Sequence, residues 1–330
     1  MGFLPHFLDM KRTEPLVSVI IPTRDRPNRV VRAVGSVLAQ TLDAIEVIVI
    51  IDGLDEATLK VLLQIDDSRL RVKMLPSSLR VGGARNMGVN EARSQWIAFL
   101  DDDDEWFPKK LEVQLQTGQN SSYLYPIISC RLIARSESGD LIWPRRYPRP
   151  NEPLSEYLFC QSSLLGGEGI VLPSTIFTMK ELLQKVPFKS GLQRHEDWDW
   201  LLRVSTLEGV GVEFVPRAEP LAIWYMEDNR RRLSTVTDWR DTLSWVQANR
   251  HLLTLSAYIS FIMTQVSSDA AREKAWKAFW FLLWEACRNG KPRIIDILAH
   301  TVIWLIPKKV RTRLVRLFDR MRGSRVLKSY

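Results

Sequence analysis

The chain contains few of the residues on which disulfide and zinc-thiolate proteins depend. Its 330 residues include three cysteines and four histidines, and no CxxC pair occurs. Cys130, Cys160 and Cys287 lie far apart, and no histidine stands at metal-ligand spacing from them. The sequence therefore predicts neither a disulfide framework nor a structural zinc site, and the simplest interpretation is reduced thiols in the cytosol.

Two common nucleotide-binding motifs are also missing. The turn after the first apolar run reads PTRDRP from Pro22 to Pro27, where a dinucleotide-binding dehydrogenase would have GxGxxG. No Walker A lysine loop occurs. These absences argue against a dehydrogenase and against a P-loop enzyme.

Targeting signals are equally absent from the N-terminal residues. No basic segment precedes a long apolar core, and position 6, which would need Ser or Thr for myristoylation, is His6. We therefore expect no export signal and a cytoplasmic protein.

The composition is that of a globular protein with a basic C-terminal end. Hydrophobic residues make up 45% and charged residues 25%, and the net charge is +8. Residues 288–330 hold twelve Lys or Arg against Asp296 and Asp319, which gives this segment a net charge of +10. Such a segment attracts phosphate, either in nucleic acid or on an anionic membrane surface.

Apolar runs alternate with helix-patterned stretches in the N-terminal half. Strands are predicted at 17–21, where Pro22 ends the run, and at 46–51, 70–75 and 96–100. This alternation predicts a parallel sheet with right-handed crossovers. Further strands are predicted within 125–133 and 174–179, facing an acceptor region.

Acidic and polar residues follow three of the predicted strands. Thr23, Asp52 and a run of four aspartates beginning at Asp101 occupy these strand ends, where ligands bind in open parallel sheets. Four adjacent carboxylates repel one another unless a cation compensates them, and Mg²⁺ or Mn²⁺ is the natural candidate. The alternative is a solvated acidic turn that caps a helix beginning near Pro108.

A second acidic pair, Glu196 and Asp197, stands at the start of a predicted helix. A carboxylate beside the aromatic residues Trp198 and Trp200 would have a raised pKa, which suits a general base. Helix capping and compensation of the helix dipole are the structural alternative.

Five ordered segments resemble glycosyltransferase family 2, the inverting enzymes with a GT-A fold. They are VSVIIPTRDRP, EVIVIIDG, GGARNMGVNEA, WIAFLDDDDEW and HEDWDWLLRV, within residues 16–235. The resemblance implies an α/β, Rossmann-like fold with a mostly parallel sheet flanked by helices, and a C-terminal helical extension. The expected divisions are an extension at 1–15, a nucleotide-sugar half at 16–120, an acceptor half at 121–237, and a helical region with a basic amphipathic tail at 238–330.

The resemblance also implies roles for individual residues. Asp197 would be the general base, with Glu196 and Trp198 on the acceptor side. Asp103, together with Asp101, would bind the metal. The residues expected to contact the nucleotide-sugar are Pro22, Thr23, Asp25, Asp52, Gly83, Arg85, Asp101 and Asp102.

The implied reaction is a metal-dependent, inverting transfer of a sugar from a nucleotide-diphosphate donor, with a UDP-sugar as the first candidate. The acceptor would be a glycan or a lipid-linked molecule in cell-surface polysaccharide or glycoconjugate biosynthesis. Two departures from the family pattern stand out. Arg24 replaces a frequent aromatic residue, and Arg230, Arg231 and Arg232 lie where a mobile His-containing loop often closes over the diphosphate. These arginines either bind phosphate or form a solvated basic loop.

The C-terminal region lies beyond the resemblance and is predicted to be helical. The uncharged stretch 252–268 contains several Ser and Thr residues and favours a buried helix over a membrane span. Residues 308–328 form a predicted basic amphipathic helix, which either docks on an anionic membrane or packs on the catalytic domain. The membrane interpretation places the enzyme peripherally on the inner face of the plasma membrane.

Three alternative functions remain at this stage. The chain could be a catalytically inactive nucleotide-sugar-binding protein, although Asp103 and Asp197 are both present. A metal-dependent nucleotidyltransferase would also place acids at strand ends, with Arg24 and Arg26 as its basic residues. Nucleic-acid binding through the basic tail is the third. It rests on charge alone, because no recognition module accompanies the tail, so nucleic acid is not an expected partner.

Overall fold

A computed structural model describes residues 14–137, 139–164, 166, 168–216, 219–226 and 238–321. The strands in these residues are β1 (Val17–Thr23), β2 (Ile45–Ile51), β3 (Leu70–Met74), β4 (Trp96–Phe99), β5 (Glu105–Trp106), β6 (Tyr125–Ser129), β7 (Leu132–Ser136), β8 (Gly139–Trp143), β9 (Phe177–Met179), β10 (Val210–Phe214) and β11 (Ala222–Tyr225). The α-helices are α1 (Pro27–Leu38), α2 (Glu56–Leu62), α3 (Arg80–Glu91), α4 (Lys110–Gln119), α5 (Leu154–Phe159), α6 (Lys180–Lys185), α7 (Glu196–Val204), α8 (Trp239–Ala248), α9 (Leu255–Phe261), α10 (Ser267–Arg272), α11 (Lys277–Asn289), α12 (Ile294–Leu305) and α13 (Lys308–Met321).

Seven strands form the main sheet in the order β10-β6-β9-β4-β1-β2-β3. The pairs β1–β2, β2–β3, β1–β4 and β6–β10 are parallel, whereas β9 runs antiparallel to its neighbours β4 and β6. Every residue of β1 and β2 is buried, because helices cover both faces of the sheet. The predicted α/β fold with a mostly parallel sheet is confirmed.

The first strand continues beyond Pro22, so the prediction that it ends there is wrong. Pro22 pairs in register with Ile50 of β2, and the strand ends at Thr23. Pairing with β4 stops earlier, at Ile20 and Phe99. The nitrogen of Pro22 points toward β4, but β4 no longer pairs with β1 at this position. The missing N–H of Pro22 therefore removes no hydrogen bond from the sheet.

A second, four-stranded sheet has the order β5-β11-β7-β8. Strand β11 pairs antiparallel with β5 and parallel with β7, which places the segment after the aspartates against the end of the acceptor half. The predicted strand region 125–133 is divided into β6 and β7, and the region 174–179 comprises a 3-10 turn and then β9.

The C-terminal region packs as helices around a continuous helical segment, 255–272. This segment contains α9, one π-helical turn at Ile262–Val266, and α10. Most of its side chains are buried against α8, α11 and α12, as expected for a buried helix. Among the described residues, none of the helices combines the length and the apolar character needed to cross a membrane.

Several predictions fall on residues outside the described ranges. They concern most of the N-terminal extension 1–15, the arginines at 230–232, and the end of the predicted tail helix beyond residue 321.

Candidate active site

The four aspartates after β4 point to four different sets of partners. They occupy a tight turn in which the Asp104 N–H donates to the Asp101 carbonyl at 3.0 Å. Asp102 and Asp104 are buried, whereas the side chains of Asp101 and Asp103 keep 33% and 18% of their surface exposed. Divergence of the carboxylates, together with pairing to cations, relieves the repulsion that adjacent charges would otherwise produce.

Asp101 is joined to the second acidic pair by Arg85. The Arg85 guanidinium donates to Asp101 Oδ1 at 2.8 Å and to Glu196 Oε1 at 3.1 Å. Its side chain is almost completely buried, and it lies over the Phe188 ring at 5.4 Å. Arg85 comes from α3, and Glu196 begins α7, so one buried cation connects the two elements.

Asp102 is held by the end of the first strand and the turn that follows. Thr23 Oγ1 donates to one carboxylate oxygen at 2.7 Å, and Arg26 Nη1 donates to the other at 2.7 Å. Arg26 also donates to Asp103 Oδ2 at 3.2 Å. Burial raises the pKa of Asp102 to about 6, although Arg26 and the Thr23 hydroxyl oppose this shift.

Asp104 is an internal support of the turn. Ser174 Oγ donates to Asp104 Oδ2 at 2.6 Å and accepts from the Asp101 N–H at 3.1 Å. Burial and the neighbouring Asp103 and Asp101 raise the pKa of Asp104 well above its ordinary value. A carboxyl in this position is suited to structural hydrogen bonding.

The surroundings of Asp197 raise its pKa. Burial raises its pKa to about 7, the negative charge of Glu196 adds to the increase, and Arg85 opposes it. Its Oδ1 accepts from the Trp198 N–H at 2.8 Å. A pKa near the working pH lets a carboxylate accept a proton in one step and release it afterwards.

The remaining predicted donor residues lie around the same edge of the sheet. Pro22 and Thr23 end β1. Asp25 has a left-handed backbone (φ 55°) and an exposed side chain. Both oxygens of Asp52 already accept hydrogen bonds, one from Ser78 Oγ and one from the Leu79 N–H, each at 2.6 Å.

Gly83 is required for close packing at the start of α3. A Cβ at this position would lie 2.6 Å from the Leu79 Cβ, which is closer than real atoms approach. The same turn carries the Leu79 N–H that donates to Asp52. The absence of a side chain at Gly83 therefore lets the segment that bonds Asp52 pack closely. A contact of Gly83 with the donor stays a prediction.

Trp198 packs toward the C-terminal helices. Its ring stacks on the His195 ring at 4.8 Å and contacts Phe159, Phe261 and Trp245. Beside it, Arg194 pairs with Asp269 of α10 at 2.9 Å. We call the residues Arg194, His195, Trp198, Trp245 and Asp269 the α7 brace. An acceptor contact of Trp198 stays a prediction, since its ring is used in this packing.

The acidic turn carries oxygen ligands of the kind that a divalent metal shared with phosphate would use. In the part of the chain that the structure describes, no three His, Cys, Asp or Glu side chains group so that they could hold a metal ion. Mg²⁺ at phosphate sites typically takes one or two carboxylates together with substrate phosphates. Asp103 and Asp101 are the partly exposed carboxylates of the turn, and each is paired with an arginine, Arg26 and Arg85 respectively. Metal binding by these two residues stays a prediction.

Sequence reasoning missed the residues that organise the turn. Arg32 of α1 donates to the Asp103 carbonyl at 2.9 Å and pairs with Glu105 at 2.8 Å. Ser174, which supports Asp104, lies seventy positions away in sequence. Arg26, in the turn after β1, was visible in the sequence as a basic residue near the predicted site. No sequence pattern pointed to Ser174.

A family model matches the part of the chain that carries the acidic turn. Residues 18–186 match the model described as Glycosyl transferase family 2. The chain belongs to glycosyltransferase family 2. Amylovoran biosynthesis glycosyltransferase AmsB of Erwinia amylovora is 26% identical over 248 residues, which cover 72% of this chain and 78% of AmsB.

Other similarities cover smaller parts of the proteins compared. The Escherichia coli enzyme WfgD, named as a UDP-Glc:alpha-D-GlcNAc-diphosphoundecaprenol beta-1,3-glucosyltransferase, is 34% identical over 112 residues, or 33% of this chain and 44% of WfgD. The crystal structure of S. aureus TarS 1-349 in complex with UDP-GlcNAc has a TM-score of 0.50 and 16% identity, over 77% of this chain and 66% of that chain. This structural likeness supports the GT-A fold.

Proposed function

We propose that this glycosyltransferase moves a sugar from a nucleoside-diphosphate donor to an acceptor hydroxyl with inversion at the anomeric carbon. The observation that carries the proposal is the Asp101–Arg85–Glu196 connection. It links the acidic turn at the carboxyl end of β4 to the helix that begins with the base candidate, Asp197. A donor site and a proton acceptor are thereby held in one rigid arrangement.

The donor would lie along the carboxyl ends of β1, β2 and β4, where Thr23, Asp52 and Asp101 are found. WfgD is named for UDP-Glc, and the TarS crystal contains UDP-GlcNAc. Together with family membership, these names support a UDP-sugar as the donor to test first. Arg24, half-exposed at the same edge, would contact the nucleotide base in the role that an aromatic residue fills elsewhere in the family.

Asp197 would accept the proton of the attacking acceptor hydroxyl. Its pKa of about 7 makes the carboxylate available at neutral pH while it remains basic enough to take a proton. Arg85 positions the neighbouring Glu196 and keeps the pKa of Asp197 from rising further. A single displacement from the face opposite the leaving group inverts the anomeric configuration and needs no covalent enzyme intermediate.

Asp103 and Asp101 would hold Mg²⁺ or Mn²⁺ together with the donor diphosphate. When bound, the cation supplies charge neutralisation for the departing nucleoside diphosphate. Arg26 and Arg32 hold the backbone and side chain of Asp103, so that its carboxylate remains in place beside the turn.

The acceptor we propose is a growing glycan, carried on a lipid or already part of a polysaccharide. AmsB is named for amylovoran biosynthesis, and the WfgD name gives a diphosphoundecaprenol-linked acceptor. These names support a place in cell-surface polysaccharide or glycoconjugate biosynthesis. On this proposal the enzyme acts in the cytoplasm, where nucleotide-sugars are made, and works peripherally at the membrane.

The test is nucleotide release from a panel of UDP-, GDP- and dTDP-sugars, with Mn²⁺ and with chelator. We expect one donor to be hydrolysed or transferred only with metal, and both Asp103→Asn and Asp197→Asn to lower turnover by at least about a hundredfold. Asp66→Asn, at an exposed aspartate outside the site, is the matched control and should retain full activity. Donor binding without turnover on any acceptor would favour the inactive binding protein instead, and turnover unaffected by both site variants would refute the proposed roles.

A further inference from the structure

Helix α11 presents large aromatic side chains to the outside. Its inner face packs against the helical core through the buried residues Ala278, Leu282 and Ala286. The opposite face follows the i, i+4, i+8 spacing of one helix side. It carries Trp276, Trp280, Phe281 and Trp284, whose exposed fractions are 58%, 70%, 40% and 52%.

Helix α12 continues this apolar surface. Its buried side, which includes Ala299, His300 and Ile303, packs on the core segment 255–272. Its outer side exposes Ile294, Ile297, Leu298 and Leu305. The two helices are in contact at one end, where the exposed Trp276 ring lies 5.4 Å from the Trp304 ring.

Helix α13 packs on the protein through Val315 and Arg316. Arg316 is buried and its Nη2 donates to Ser136 Oγ of β7 at 2.6 Å, while Val315 packs against the core beneath. The apolar residues Val310, Leu314 and Leu317, spaced on the other side, are exposed. An amphipathic helix that packs in this way turns its apolar stripe outward.

Exposed cations stand beside these apolar stripes. Lys277 and Arg288 are exposed on the aromatic face of α11, Lys291 lies in the loop before α12, and Arg313 lies on α13. The Arg288 guanidinium sits 5.1 Å from the Trp284 ring. Residues 288–330 as a whole carry a net charge of +10.

Tryptophan with neighbouring Lys and Arg is the combination that suits a membrane interface. Indole rings prefer the headgroup level, where one end is apolar and the other is wet. Basic residues on the polar side attract anionic lipids. A protein partner or a second copy would also cover an apolar patch, but the surplus of positive charge disfavours a second copy, since two such surfaces repel each other.

We propose that the outer faces of α11, α12 and α13 form a docking surface for an anionic lipid bilayer. The exposed tryptophans and aliphatic side chains enter the headgroup region, and Lys277, Arg288, Lys291 and Arg313 contact lipid phosphates. The inference rests on the membrane location in the proposed function and names the surface that makes the contact, but it does not depend on the proposed catalysis. It extends the predicted membrane contact of 308–328 to two further helices, which carry the exposed tryptophans.

The experiment is co-sedimentation of the full chain with vesicles, without donor or metal, so that failure of catalysis cannot affect it. Phosphatidylglycerol-containing vesicles are compared with pure phosphatidylcholine vesicles. We expect sedimentation with the anionic vesicles, weaker sedimentation at high salt, and a blue shift of tryptophan emission on binding.

The diagnostic variant is Trp280→Glu with Trp284→Glu. Both side chains are exposed, so we expect unchanged thermal unfolding and at least a tenfold loss of vesicle affinity. Leu63→Glu is the matched control, because Leu63 is 70% exposed but lies at the end of α2, and it should bind as the wild type does.

Three results would overturn the proposal. One is the absence of sedimentation with anionic vesicles. Another is full binding by the double variant, which would assign the binding to the basic tail alone. The third is light scattering that shows a dimer which the double variant converts to a monomer while no vesicles bind, which would make the patch an interface between copies.

Discussion

Asp101 and Glu196 share one buried guanidinium, that of Arg85. One carboxylate belongs to the proposed donor site and the other stands next to the proposed base. The two halves of the site are therefore held in register by a charge that is itself shielded from water. Because Arg85 bonds one carboxylate in each half of the site, its proposed role is to position these groups rather than to contact the donor.

Replacement of Arg85 tests this positioning role. A lysine keeps the charge but cannot bond two carboxylates with a planar fork. We expect Arg85→Lys to lower kcat by about a hundredfold, the loss that a misplacement of roughly 1 Å can cause, with little change in the KM for donor. The measurement is steady-state kinetics.

Arg85→Met provides a readout that a purely structural role would not affect. Since Arg85 lowers the pKa of Asp197, its removal should shift the acid limb of the pH–rate profile to higher pH. An unshifted limb with the same loss of rate would show that Arg85 does not act on the base.

The pH dependence of the wild type follows from Asp197 itself. Its carboxyl must be deprotonated to accept a proton, and burial raises its pKa to about 7. We expect the rate at saturating donor and acceptor to rise tenfold per pH unit below about 7 and to level off above it. Asp197→Asn should lose about 10² to 10⁴ of the rate, the usual contribution of a general base. A profile that is flat from pH 5.5 to 9 would contradict this assignment.

The free energy of unfolding should fall as pH rises, whereas the catalytic rate should increase. The folded-state pKa values of Asp102, about 6, and Asp197, about 7, lie above the ordinary value of 3.8. The folded protein therefore holds these protons more tightly than the unfolded chain, and the free energy of unfolding falls as pH rises from about 4 to about 7. Urea unfolding at pH 5 and pH 8 should show this decrease. Asp197→Asn should show a smaller one, and an identical decrease in wild type and variant would count against the raised pKa.

Two glycines offer a matched comparison of packing. A Cβ on Gly83 would lie 2.6 Å from the Leu79 Cβ, whereas one on Gly35, within α1, would meet nothing within 4 Å. We expect Gly83→Ala to destabilise the protein by about 1 to 3 kcal/mol through overpacking. Gly35→Ala should stabilise it by about 0.5 to 1 kcal/mol through better helix propensity. Chemical denaturation measures both, and a stable Gly83→Ala with weakened donor binding would instead indicate a direct donor contact.

The strands of the N-terminal half could be predicted because parallel strands leave a continuous apolar signal. All seven residues of β2 are buried, and the sequence there is almost entirely Ile and Val. Strands β5 and β8 gave no such signal. The first has two residues, and the second begins at Gly139 and lies at the edge of its sheet.

The acidic residues of the site could be predicted from the sequence, but most of their hydrogen-bond and ion-pair partners could not. The strand ends placed Thr23, Asp52 and Asp101 at one edge of the sheet. The partners of those acids are tertiary: Arg26 reaches a carboxylate 76 positions away, and Arg85 reaches one 111 positions away. No local pattern encodes such distances, so the division of the four aspartates into exposed and buried pairs emerged only from the fold.

The α7 brace has a consequence for how this chain can be altered. Arg194 and His195 precede Glu196 and the proposed base, Asp197, and both contact residues beyond 238, namely Asp269 and Thr242. Shortening the protein to the predicted catalytic segment, 16–237, would remove Asp269 and Thr242 and with them this support of the proposed base. A hybrid protein with the C-terminal helices of a relative would replace the residues that contact α7, and would therefore change the position of this helix. The boundary between catalytic domain and extension is therefore set by sequence similarity alone. The contacts that support the proposed base cross it.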